Sequence, residues 1–152
     1  MLAVWLVFRS PAVDYRLVVV GALLPLVELP IGEPRVLHSL TGAVAALGLA
    51  MVVTPRRRLV QRRLVAIPIG MFLHLLLDGI WADTQAFWWP FAGLAWSDAQ
   101  LPELARGGFD VVLELAGAAA LVWCWRRFRL DEPDRRARFL RTGRLDRDVA
   151  VP

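Results

Sequence analysis

Apolar residues in this chain come in long unbroken runs separated by short polar turns. Long apolar runs of this kind point to an integral membrane protein. Residues 1–8 are apolar but too short to span a bilayer, which takes about 20 residues. They lack the basic start and small-residue cleavage site of a signal peptide. An interfacial helix, or the end of a longer helix beginning upstream, is expected there. Residues 17–31 form the first membrane-type segment. Pro25 and Pro30 interrupt it, and because proline removes a ladder hydrogen bond the segment should bend near Pro25 and turn Glu28 inward. Residues 37–53 form the second, with Gly42 and Ala46 on a small-residue face suited to close packing. Residues 64–81 form the third and 111–125 the fourth. Between the last two lies a polar-aromatic loop, 82–108, carrying Trp88, Trp89 and Trp96. The pattern predicts an all-α integral membrane bundle of four main helices plus a short N-terminal apolar segment. The helical domain covers 1–125, and a basic tail, 126–152, is expected to be frayed or partly helical.

Composition agrees with this pattern. The chain is 57% hydrophobic with a mean hydropathy of +0.50, against about 45–50% apolar residues in ordinary soluble domains. Its net charge is +4, and every basic residue is arginine. The arginines cluster at 56–63, read as a loop, and at 126–144. Basic clusters beside apolar segments mark the cytoplasmic side, so both are expected inside and the 82–108 loop outside. A basic stretch next to a membrane segment is read as contact with anionic lipid, with no nucleic-acid partner. The single Cys124 excludes an intramolecular disulfide and a cysteine-based metal site.

On that topology the unusual polar residues collect at one depth. His74 and Asp78 are four apart in the third segment, so they share one helix face. His38 opens the second segment, Glu28 lies near the outer end of the first, and Glu33 lies in the outer turn that follows. Imidazole and carboxylate are ligands that zinc accepts, and ionisable residues inside a bilayer mark functional sites by default. His38, His74 and Asp78 are the candidate metal ligands. Glu28 is the candidate general base or a fourth ligand. Ser39 reads as a helix cap and not as a nucleophile. The tryptophans of the outer loop read as an interfacial belt.

Several phrases together resemble one family: Asp14-Tyr-Arg, Gly21-Ala-Leu-Leu-Pro25 followed by Glu28, Leu37-His-Ser-Leu40, Gly70-x-x-x-His74-x-x-x-Asp78 and Trp89-Pro-Phe. The resemblance is to the bacterial membrane-bound metal-dependent hydrolases of the LexA-regulated type, and it spans roughly residues 14–91. It implies a divalent metal, zinc for this donor set, and hydrolysis of an ester or phosphoester of a small-molecule or lipid substrate at the outer interface. The family pattern carries an acid where this chain has Leu26 and a histidine where it has Glu33, a possible replacement ligand. Glu28, His38, His74 and Asp78 match.

Two other readings compete. The polar cluster could be a structural hydrogen-bond network in a non-catalytic membrane protein. The two histidines could instead ligate haem axially, although carboxylates beside them suit zinc or manganese better.

The topology has a direct test. In intact cells, Gln100→Cys should react with a membrane-impermeant maleimide and Gln61→Cys should not. Labelling of Gln61→Cys from outside would undo the shared depth of the polar residues.

Overall fold

The computed structural model describes residues 2–8, 10, 13–105 and 107–145. Arg9 and the tail beyond Leu145 lie outside them. The described residues are helical, without strands. In chain order the helices are α1 (Leu2–Phe8), α2 (Tyr15–Leu23), α3 (Leu40–Val53), α4 (Arg58–Leu64), α5 (Ala66–Asp78), α6 (Thr84–Phe87), α7 (Pro102–Ala105), α8 (Phe109–Arg127) and α9 (Pro133–Thr142). Three short 3₁₀ stretches, Pro25–Ile31, Val36–His38 and Ile80–Ala82, supply the turns. The chain divides into two compact units, Leu17–Gly107 and Met1–Arg16 with Gly108–Pro152.

In the Leu17–Gly107 unit, prolines decide where helices stop. Pro25 cannot donate to the Gly21 carbonyl, so α2 ends at Leu23 and the chain tightens into the 3₁₀ stretch Pro25–Ile31. This is the bend the sequence predicts, and Glu28 is buried beyond it. Pro68 likewise cannot bond the Leu64 carbonyl. The arginine-rich helix α4 therefore ends at Leu64 and α5 begins after a joint at Val65. The 56–63 cluster thus differs from the expected loop: only 54–57 is a turn, and Arg58, Arg62 and Arg63 ride on α4. Among the described residues, the run Arg58–Asp78 is the one helix long and apolar enough to cross a membrane. It has 21 residues, a mean hydropathy of 1.4 and only 28% of its span buried.

Helix α3 packs along α5. Their shared core is Ala43, Met71, Leu75, Ile80, Ala86 and Phe87, with Leu24, Leu37, Leu40, Ala46 and Ile67 against it. Burying side chains such as Met71 and Leu75 contributes about 1.5–3 kcal/mol each. Helix α2 meets α5 through glycines on both sides. A Cβ at Gly21 would fall on the Ile67 carbonyl, and a Cβ at Gly70 would fall on the Val18 carbonyl. Backbone approaches backbone there, as small residues permit where helices pack closely.

In the other unit, Trp5 of α1 is buried and packs edge-on against Trp123 and Phe128, with ring centroids at 5.9 and 5.4 Å. The Arg127 guanidinium lies 5.4 Å over the Trp5 ring. The tail forms helix α9, which ends at Gly143 in the left-handed conformation (φ 70°). Tyr15 donates its backbone N–H to the Gly143 carbonyl at 2.8 Å, and Arg16 donates to Leu140 O and to Asp14. A Cβ at Gly143 would collide with the Asp14 carboxylate. Tyr15 Oη donates to the Ser10 carbonyl at 3.0 Å. Burial pushes the Tyr15 phenol up to about 12, against the opposing pull of that hydrogen bond, so it stays a protonated donor at neutral pH.

The α2–α5 contact can be broken by one methyl group. Gly70→Ala should destabilise the protein by about 1–3 kcal/mol, the usual range for overpacking. Gly48→Ala, with nothing within 4 Å of the added carbon, should not. Thermal unfolding of both in detergent checks this, and equal midpoints would refute the close approach.

Candidate metal centre

Three segments of the Leu17–Gly107 unit build the site. The 3₁₀ stretch Pro25–Ile31 brings Glu28, the turn Val36–His38 brings His38, and α5 brings His74 and Asp78. Residues 70, 74 and 78 stand on one stripe of α5, each a turn apart. Gly70 lets that stripe press against α2, and Gly79, left-handed at φ 78°, ends the helix immediately after Asp78. His38 is fully buried and Asp78 is 8% exposed.

One ligand atom from each of His38, His74 and Asp78 lies within 4.8 Å of the other two. The two imidazole rings meet edge to face, with centroids 5.5 Å apart. The residues predicted as ligands from sequence are thus brought together, and this group could hold a metal ion.

Glu28 stands behind His38. Its Oε1 accepts the Leu37 backbone N–H at 2.8 Å, and its Oε2 accepts the Arg35 backbone N–H at 2.9 Å. His38 Nδ1 lies 2.8 Å from the same Oε2. A carboxylate can only accept, so Nδ1 carries the proton and Nε2 is left as the basic nitrogen. Both Glu28 oxygens are thereby engaged, and Glu28 is outside the converging trio. Ser39 caps α3: its Oγ accepts from Gly42 N at 3.0 Å and donates to Val36 O at 2.7 Å. That cap fixes the turn carrying His38.

Other sequence candidates fall elsewhere. Glu33 pairs with Arg35 at the surface. Asp83, an acid just beyond the third apolar segment that was not among those candidates, caps α6, accepting from Gln85 N and Ala86 N. Trp89 and Trp96 stack at 4.2 Å, Arg35 lies 5.3 Å over Trp96, and Thr41 Oγ1 donates to Trp89 O. The tryptophan loop is thereby tied to the first turn of α3. Sequence reasoning missed the parts of the Arg35 and Leu37 backbone amides, which have no residue signature. It also missed the close approach of Gly21 to the Ile67 carbonyl and of Gly70 to the Val18 carbonyl, whose only signal was small size inside apolar runs.

No protein-family model, no curated protein and no solved structure matches this chain. The site is therefore read from its own geometry.

Ser39→Ala should cost about 1 kcal/mol, the usual worth of an N-cap, with Ser39→Thr retaining most of it. Chemical denaturation in detergent measures both. An unchanged Ser39→Ala would show that the cap does not hold the His38 turn.

Proposed function

We propose that this chain is a multi-pass membrane protein whose His38, His74 and Asp78 hold a divalent metal, zinc by the chemistry of the donor set. In this reading it is a membrane-bound metal-dependent hydrolase, as its resemblance to that family implies. It would cleave an ester or phosphoester of a small-molecule or lipid substrate at the outer membrane interface. The observation that carries the proposal is the convergence of three ligand atoms within 4.8 Å on buried or half-buried residues. The four-helix membrane bundle is supported by apolar side chains facing outward. Val52 and Leu77 are 75% and 77% exposed, and Leu49, Val53, Leu115, Leu121 and Val122 are exposed as well. Apolar surface of that extent marks contact with lipid or a partner.

The residues present fit a metal. Two imidazoles and one carboxylate match a catalytic zinc with a position left for water or substrate. When bound, zinc polarises a carbonyl or phosphoryl oxygen and lowers the pKa of water to about 7. Glu28 fixes the tautomer and orientation of His38, as a carboxylate behind a metal-binding imidazole does. In this reading Glu28, whose two oxygens accept N–H donors, positions His38; the sequence alone left it as general base or fourth ligand. Haem fits poorly. An Asp78 oxygen within 4.8 Å of both ring nitrogens sits where the porphyrin would have to pass. The alternative of a structural polar network draws on the three hydrogen bonds of Glu28, which would organise the turn without any metal.

Elemental analysis of purified full-length protein separates these readings. About one zinc per chain is expected, with strong loss in His74→Ala and Asp78→Asn. Glu28→Gln should weaken zinc affinity about 10–100-fold, the usual effect of removing such a partner, and leave the helical content intact. Full metal stoichiometry in His74→Ala, or none in the wild type, would overturn the metal centre and favour the structural network.

A further inference from the structure

The second unit, Met1–Arg16 with Gly108–Pro152, takes no part in the metal centre. It carries an open cavity of about 600 Å³ along the C-terminal half of α8, lined by Ala119, Val122, Trp123, Arg126 and Arg127. Its composition changes along the helix. Ala119, Val122 and Trp123 give an apolar floor, and the two guanidiniums sit at one end, where α8 stops. We infer that this groove binds one anionic phospholipid, with an acyl chain along Ala119, Val122 and Trp123 and the phosphate on Arg126 and Arg127.

Charge complementarity selects this occupant. The lining contains two cations and no acid. The acids that follow, Asp131 and Glu132, lie past the end of α8 and outside the lining, and Glu132 is engaged by Arg129 at 2.9 Å and by Arg135 at 2.6 Å. Arg127 is held in place by the Trp5 face beneath it, so part of its ordering cost is met before a ligand arrives. A soluble anion would use the arginines but not the apolar floor. A zwitterionic lipid would use the floor but bring its own cation to the arginines. Only an anionic amphiphile uses both. Tryptophan beside arginine at the end of an apolar helix is also the arrangement found at the cytoplasmic interface, where anionic lipids concentrate. Glu114, on the same helix, is more than a turn from the lining residues and exposed, so it does not offset the pair.

The inference rests on the membrane placement proposed above but not on the metal centre. Full-length protein in a neutral detergent is offered phosphatidylglycerol or phosphatidylcholine at equal concentration, and retained lipid is counted by native mass spectrometry. One phosphatidylglycerol should be retained at least about tenfold more strongly than phosphatidylcholine, near the effect expected for two arginines. Arg126→Gln with Arg127→Gln should abolish that preference. Ala119→Trp, which fills the floor and spares both arginines, should lower retention of either lipid. Arg62→Gln with Arg63→Gln, the same loss of charge on the other unit, should change nothing. Circular dichroism shows that each variant keeps its helices, and a misfolded double variant leaves Ala119→Trp to decide. Equal retention of the two lipids, displacement by millimolar inorganic phosphate, or indifference to Ala119→Trp would each overturn the site. Alkaline extraction of membranes separates the two failures: protein released into the supernatant refutes the membrane placement, and protein kept in the pellet without lipid preference refutes the groove alone.

Discussion

Glu28 is a carboxylate buried among apolar helices, and a group of that kind is stable only when its oxygens are met by donors. The donors come from a short following stretch: the amides of Arg35 and Leu37 and the ring of His38. To deliver all three to one carboxylate, the chain must reverse tightly, and two 3₁₀ stretches joined through Gly32 and Pro34 do so. The same hydrogen bonds that satisfy Glu28 set the rotation and tautomer of His38. Local folding and site geometry are therefore one constraint. A charged acceptor in low dielectric strengthens each of these bonds, and losing one would leave its buried partner unsatisfied at the full desolvation cost of that group.

The second requirement is close helix approach. His74 and Asp78 reach the same point as His38 because α5 carries Gly70 one turn earlier on the same stripe, pressed against the Val18 carbonyl of α2. The spacing Gly-x-x-x-His-x-x-x-Asp is thus a single physical device. The glycine brings the helix in, and the two ligands follow at successive turns on the face so placed. The unit formed by the chain's two ends is organised differently. There, aromatic edges around Trp5, the Arg127 cation above it and the Gly143–Asp14 contact hold short helices together. Its outward apolar side chains on α8 leave a surface that water does not suit.

Much of this was legible from the chain because it depends on local rules. Long apolar runs mark the helices, proline at 25 marks the bend, serine at 39 marks the cap, and a four-residue interval puts His74 and Asp78 on one face. That His38 would join them was an expectation drawn from the arginine clusters, and what the structure shows is the convergence itself. Tertiary structure decided the rest. The partners of Glu28 include backbone amides, which are identical at every residue and leave no trace in sequence. The helical state of Arg58–Leu64 arose against a reading of the arginine cluster as loop, since arginine is a good helix former and a run of like charges does not specify a backbone conformation. The closeness of Gly21 and Gly70 to opposing carbonyls, and the clasp of Gly143 on Asp14, depend on which segments meet across long stretches of chain. A glycine within an apolar run looks the same whether it faces a backbone or open space, as Gly70 and Gly48 do here. Residue type and spacing determined what each helix offers, and packing alone determined which offered groups find one another.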